Sequence, residues 1–128
     1  MAATGAPTTL QQEMAALLYA GPGSVITGAA ALRSHHIRCE LTEIVDVLVP
    51  AGRQRRDTNF VRLHRTSRMP ARIWEAGPVR YVPASRAVAD TVRGLTSLRD
   101  VRAVVADAVQ RDKCAISNLA TELGAGPN

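Results

Sequence analysis

Arginine is the residue type with the clearest chemistry in this sequence, and it is concentrated in one segment. Residues 51–72 read AGRQRRDTNFVRLHRTSRMPAR and contain seven arginines against a single acid, Asp57. A guanidinium group presents a planar fork of donors that matches phosphate oxygens, so this segment is a candidate nucleic-acid surface. The alternative is a solvated strand face, because edge strands commonly carry charge that blocks aggregation. The residues alone leave both interpretations open.

The excess positive charge of the chain lies in the same region. The 128 residues carry a formal net charge of +5, and fifteen of the sixteen basic residues are arginine. Residues 53–86 contain nine arginines against Asp57 and Glu75, whereas the rest of the chain is slightly acidic. This distribution predicts a contact with an acidic protein surface or an electrostatic, sequence-independent contact with nucleic acid. Aromatic residues make up only 3%, which argues against base stacking on aromatic platforms.

The patterns expected of catalytic and metal sites are missing from the sequence. His35, His36 and Cys39 form one cluster of metal-ligand types, but a structural zinc site needs four ligands and no second pair follows. There is no Gly-x-Ser-x-Gly elbow and no phosphate-binding glycine loop with its lysine. A nuclease of the restriction type would need a Glu-x-Lys pattern, and Lys113 is the one lysine. The sequence therefore predicts no enzymatic activity, no cofactor and no metal.

Cysteine usage and hydropathy indicate the compartment. Cys39 and Cys114 stand too far apart to form a metal-binding pair or a disulfide framework, so two reduced thiols are expected. No apolar run approaches the roughly 20 residues that span a bilayer. The N-terminal MAATGAPTT lacks the basic and apolar regions of a signal peptide. We therefore expect a cytoplasmic protein.

Two helices are predicted before the arginine segment. The first covers residues 10–20, with Thr8 or Thr9 as its cap and a Gly-Pro-Gly turn at its end. Four of its apolar side chains are spaced to face a core, namely Leu10, Met14, Leu17 and Leu18. The second covers 28–37, with Thr27 as its cap.

About three strands are predicted around the arginines. Residues 24–26 form a short extended link, and the alternating, β-branched run 42–49 is the first strand. Residues 59–66 form the second strand and 79–82 the third. The connection at 51–58 is too long for a tight hairpin, so a mobile arginine-bearing loop is expected.

Helical periodicity returns after the strands. Helices are predicted over 85–95, 98–113 and 116–123, while Pro70 and Pro78 break the chain before them. Helices, then a strand cluster, then helices indicate the α+β class with a small, mostly antiparallel sheet. We expect one domain over residues 10–123, with flexible tails at 1–9 and 124–128.

Four segments, taken in series, resemble a known family. LLYAGPGSVITGAAAL, VDVLVPAGRQRR, VRLHRTSRMP and VPASRAVADTV occur in the order and approximate spacing of the AbiEi-like antitoxin regulators, over roughly residues 14–111. Arg65, Arg86 and Asp90 match recurrent positions of that family. The resemblance implies an antitoxin of a type IV toxin–antitoxin pair that represses its own operon and counters a nucleotidyltransferase toxin.

The match is to the central domain of that family. Relatives carry an N-terminal winged helix-turn-helix before this region, and many add a Vsr-like domain after it. Only about ten residues precede Leu10, and the chain ends at GAGPN, so we expect the central domain alone. Thr27-Gly28 also replaces the Ser-His start of the second helix that many relatives show.

The sequence thus predicts a non-catalytic regulatory or interaction domain. Its expected partners are a cognate toxin or another protein, a second copy of itself, or nucleic acid bound without sequence preference. The alternative function is direct binding of DNA or RNA by the arginine segment. The predicted contact residues are Arg53, Arg55, Arg56, Arg65, Arg68 and Arg72. Arg86 and Asp90, four residues apart on one helix, are predicted to form a structural pair.

Overall fold

Helices flank a central group of strands in the part of the chain that the structure describes. The computed structural model describes residues 8–39, 43–111 and 114–126. The elements in chain order are α1 (Thr9–Ala20), β1 (Val25–Thr27), α2 (Gly28–Ser34), β2 (Val45–Pro50), β3 (Val61–Thr66), β4 (Trp74–Ala76), β5 (Val79–Tyr81), α3 (Ala84–Gly94), α4 (Leu98–Gln110) and α5 (Ile116–Gly124). This is the α+β class that the sequence predicts.

The described strands form one mixed sheet in the order β3-β2-β1-β5-β4. Two neighbouring pairs, β2–β3 and β1–β5, are parallel, and the other two pairs are antiparallel. The expectation of about three mostly antiparallel strands is therefore wrong. β1 and β4 have three residues each, so neither is long enough to show the alternation by which a strand is recognised in a sequence.

The parallel pairing of β2 and β3 determines the path of the arginine segment. The two strands lie side by side over six residues, from Val45 opposite Val61 to Pro50 opposite Thr66. The ten residues of the connection, 51–60, must therefore return along the whole strand instead of turning over as a hairpin. The return takes about 20 Å and ten extended residues reach about 33 Å. The connection is thus long enough for this return, and its mobility stays a prediction.

Helix α1 is closed at both ends by its own sequence. The Thr8 side chain accepts from the Gln11 amide at 3.1 Å and the Gln11 side chain accepts from the Thr8 amide at 2.8 Å, which is a complete capping box. Gly21 ends the helix with φ of +94°, a conformation that glycine adopts without strain.

The side of α1 that faces the core is not the one predicted. Its buried residues are Glu13, Ala16, Leu17 and Ala20, and of the four predicted core residues only Leu17 is buried. Apolar residues lie on both sides of this helix, so periodicity alone could not decide which side packs on the sheet. Two alanines allow α1 to approach β2 closely, which favours the side that is buried.

The core consists mainly of aliphatic side chains, as the low aromatic content predicts, with Tyr81 as its buried aromatic residue among the described residues. Val47, Leu48 and Val49 are fully buried, so both faces of β2 are covered. Helix α1 contacts β2 and β5, while α3 contacts β1, α2, α4 and α5. The C-terminal helices thus reach the sheet through α3.

Of two further predicted helix caps, one forms a cap hydrogen bond and the other does not. The Ser97 side chain accepts from the Asp100 amide at 3.4 Å and caps α4 as predicted. Thr27 occupies the cap position of α2, but its hydroxyl makes no cap hydrogen bond and donates instead to Asp90 at 2.7 Å. That hydroxyl therefore joins β1 to α3 and does not stabilise the start of α2.

The predicted flexible tails, 1–9 and 124–128, fall largely outside the described residues. Where the structure describes them, Thr9 begins α1 and Gly124 ends α5. No helix among the described residues combines the length and the apolar character needed to cross a bilayer.

Candidate functional site

The Arg53 side chain is bonded to backbone carbonyl oxygens of the protein itself. Its guanidinium donates to the carbonyl oxygen of Ala20, the last residue of α1, and to that of Pro22 at 2.5 Å. The last carbonyls of a helix have no partner within the helix, so a cation at this end satisfies them and complements the helix dipole. Arg53 thus fastens the connection 51–60, which we call the arginine loop, to the end of α1.

Arg65 holds the same loop from the side of β3. Its Nε donates to the Arg53 carbonyl oxygen at 2.7 Å, and its Nη2 donates to that of Arg55. From α1, the Tyr19 hydroxyl donates to the Arg56 carbonyl oxygen at 2.7 Å, and the Arg55 guanidinium lies 5.4 Å from the centre of the Tyr19 ring. The loop is therefore attached both to α1 and to the strand that follows it.

Arg68 belongs to a different part of the surface. It forms an ion pair with Glu122 of α5 at 3.0 Å and donates to the Gly126 carbonyl oxygen at 3.2 Å. Its own carbonyl oxygen accepts from Arg86 at 2.7 Å. The structure therefore groups Arg68 with the C-terminal helices and not with the arginine loop.

The side chains of Arg56 and Arg72 are exposed and make no hydrogen bond or ion pair within the described residues. Of the six predicted contact residues, three are therefore committed to internal carbonyl or carboxylate oxygens, and Arg55 lies over a ring. Intramolecular hydrogen bonds and ion pairs thus account for half of these six arginines. The part that remains available is the tip of the arginine loop, Arg55 and Arg56, with Arg72 further along the chain.

Arg86 and Asp90 lie in the interior. Arg86 is 1% exposed, and its Nε donates to both carboxylate oxygens of Asp90, at 3.0 and 3.1 Å. Asp90 also accepts from Thr27 and forms an ion pair with Arg93 at 3.3 Å. The pair predicted from helical spacing is thus the centre of a buried network that joins β1 and α3.

An exposed apolar row on α1 was not predicted. Leu10, Met14 and Leu18 are 49%, 38% and 81% exposed. They follow one another at intervals of four, so they form a continuous line along one side of the helix, which we call the α1 stripe. The spacing of these three residues is visible in the sequence, but the sequence pattern predicts that they face the core. The α1 stripe ends at Leu18, next to Tyr19, whose hydroxyl donates to the arginine loop.

The side chains of His35 and His64 have structural partners, and no group of three or more metal-ligating side chains is found among the described residues. Nε2 of His35 lies 2.8 Å from the Val82 carbonyl oxygen, and its ring lies 5.4 Å from that of Trp74. Nε2 of His64 lies 2.7 Å from Oδ1 of Asp46. Cys114 is half-buried outside any disulfide, and burial raises the pKa of its thiol.

Comparison with family models, with curated proteins and with solved structures finds no match to this chain. The resemblance to AbiEi-like antitoxins therefore depends on the four sequence segments alone.

Proposed function

We propose that this chain is a non-catalytic interaction domain of the AbiEi-like antitoxin class and that it binds a partner protein through α1. The observation that carries the proposal is the α1 stripe, in which Leu10, Met14 and Leu18 are exposed. Exposed apolar patches bordered by polar residues mark protein interfaces, whereas single exposed apolar residues are ordinary. Because Leu10, Met14 and Leu18 lie in one line on a capped helix, they form an apolar patch of the kind that marks an interface.

The charges beside the α1 stripe indicate what kind of surface the partner presents. Arg55 and Arg56 lie on the loop that Tyr19 holds at the C-terminal end of α1. A complementary surface therefore has an apolar groove or helix face with Asp or Glu at one end. We propose the nucleotidyltransferase toxin of a type IV pair as this partner, because the sequence resemblance implies such a toxin.

The test is binding of that toxin, produced from the gene beside the one for this chain and measured by calorimetry. Leu18→Asp places a charge at the most exposed residue of the α1 stripe and should weaken binding at least about a hundredfold, because buried hot-spot positions contribute about 3 kcal/mol or more. Leu98→Asp is the matched control, since Leu98 is 63% exposed on α4, away from the stripe. Equal effects of the two substitutions, or no binding by the unaltered chain, would overturn the proposal.

Direct binding of nucleic acid is the second candidate, favoured by the exposed and unbonded Arg56 and Arg72. Among the six predicted contact residues Arg55, Arg56 and Arg72 remain available, and Arg62 in the same segment is also exposed and unbonded within the described residues. We therefore predict that log K for random-sequence duplex falls against log salt with a slope of about −4 at most. Arg56→Gln should reduce the slope by about one, and Arg53→Gln should leave it unchanged. A slope near −6 would show that all six arginines reach phosphate. No binding at low salt would eliminate this candidate.

A further inference from the structure

A cavity of about 500 Å³ lies between the sheet, the start of α2 and the end of α3. This volume is in the range of pockets that hold small organic molecules. The residues that line it include Asp46, Leu48, Arg62, His64, Thr91 and Leu95. The cavity lies on the face of β2 that carries Asp46 and Leu48.

The acids of this cavity already have hydrogen-bond partners in neighbouring groups. Asp46 lies 2.7 Å from His64, and Asp90 is held by Arg86, Arg93 and Thr27. A cationic ligand would have to displace one of these partners.

Arg62 is the available cation at this cavity. It stands opposite Asp46 in the pairing of β2 with β3 and is exposed. Unlike Arg53, Arg65 and Arg68, its side chain makes no hydrogen bond or ion pair within the described residues. A guanidinium that both lines a cavity and reaches solvent is suited to bind an acid group at the mouth.

The inner wall combines apolar side chains with one unsatisfied hydroxyl. Leu48 and Leu95 line the wall together with Ile44. Oγ1 of Thr91, which also lines the cavity, is the buried side-chain polar atom without a hydrogen-bond partner in the described part of the chain. This oxygen has almost no accessible surface, so a ligand in the cavity meets the apolar side chains of the wall and not the hydroxyl.

We propose that this cavity binds a small organic acid with an apolar body. Arg62 binds the carboxylate or sulfonate at the mouth, and the apolar body lies against Ile44 and Leu95. The site is separate from the α1 stripe and does not depend on the proposed antitoxin role.

The probe for this proposal is 4-phenylbutyrate, with its neutral amide, 4-phenylbutyramide, as the matched compound. Titration followed by ¹H–¹⁵N NMR should shift the amide signals of Leu48, Thr91 and Leu95, and the carboxylate should bind about tenfold more tightly than the amide. Shifts confined to residues of α1 would mean that the probe binds only the α1 stripe, which would overturn the proposal. Equal affinity for acid and amide would do the same.

Two variants test the assigned roles. Arg62→Gln should weaken binding of the acid about tenfold, while Arg80→Gln, an exposed arginine on β5 outside the cavity, should leave it unchanged. Thr91→Val should leave the midpoint of urea unfolding unchanged or raise it, since the hydroxyl has no internal partner, and should leave binding of the acid unchanged, because no ligand atom reaches that hydroxyl. If Arg62→Gln and Arg80→Gln behave alike, Arg62 does not bind the acid and the proposal fails.

Discussion

Asp90 shows how much of this molecule depends on one carboxylate. It is bonded to Arg86, Arg93 and Thr27, which lie on α3 and at the end of β1. Arg86 is 1% exposed, so its buried charge needs partners, and Asp90 and the Arg68 carbonyl oxygen are two of them. Truncating one member of such a buried pair leaves the other charge uncompensated.

We predict that Asp90→Ala lowers the free energy of unfolding by about 3–5 kcal/mol, measured by urea denaturation. Asp107→Ala is the control, because Asp107 also pairs with an arginine four residues away, Arg111, at 2.9 Å. That pair lies at the surface, where solvent screens it, so its loss should be much less damaging. Similar losses in the two variants would contradict the buried role of Asp90.

At the scale of elements, the arginine loop is the feature that sequence reasoning described least well. Its length suggested a mobile hairpin connection, but the loop returns along the sheet between parallel strands. Arg53, Arg65 and Tyr19 all bond to carbonyl oxygens and hold it in place. A side chain that bonds the backbone leaves no regular pattern in a sequence, so these attachments could not be read from spacing.

We predict that Arg53→Gln increases amide hydrogen exchange within residues 51–60 about tenfold, because a charge-assisted hydrogen bond contributes about 1.5 kcal/mol. Arg56→Gln serves as control, since the Arg56 side chain makes no bond within the described residues while its carbonyl oxygen still accepts from Tyr19. NMR exchange measurements on both variants distinguish the roles. Unchanged exchange in Arg53→Gln would show that the loop is held by other contacts.

For the whole molecule, a buried polar link connects three elements. The Tyr81 hydroxyl of β5 donates to the Glu13 carboxylate of α1, which also pairs with Arg33 of α2. Glu13 is buried, and two partners satisfy it. Burial and the neighbouring carboxylate raise the pKa of Tyr81 well above its ordinary value.

This raised pKa gives the fold a dependence on alkaline pH. The native state keeps the Tyr81 proton while the unfolded chain releases it near pH 10, so this contribution is complete below about pH 10 and is lost as pH rises further. We predict that the free energy of unfolding falls above about pH 10 by at most about 1.4 kcal/mol per pH unit from this group. Urea titrations should show a shallower fall in Tyr81→Phe, with Tyr19→Phe as control. If the free energy of unfolding falls equally steeply with pH in wild type and in Tyr81→Phe, the prediction is wrong.

The class of the fold and most helix boundaries could be predicted from the sequence because caps and periodicity are local signals. Thr8 and Ser97 cap their helices as expected. Strand pairing could not be predicted, since β1 is three residues long and its partners lie far away in sequence. The buried side of α1 and the Arg62 cavity depend on packing, which no spacing rule describes.

The central position of β1 has a consequence for synthesis of the chain. Its Ile26 lies between Val47 of β2 and Tyr81 of β5, so one neighbour is made soon after it and the other much later. Until β5 has left the ribosome, the backbone of β1 has an open edge in what will become the middle of the sheet. The emergence of β5 therefore completes the protection of β1 in the nascent protein against pairing with other chains.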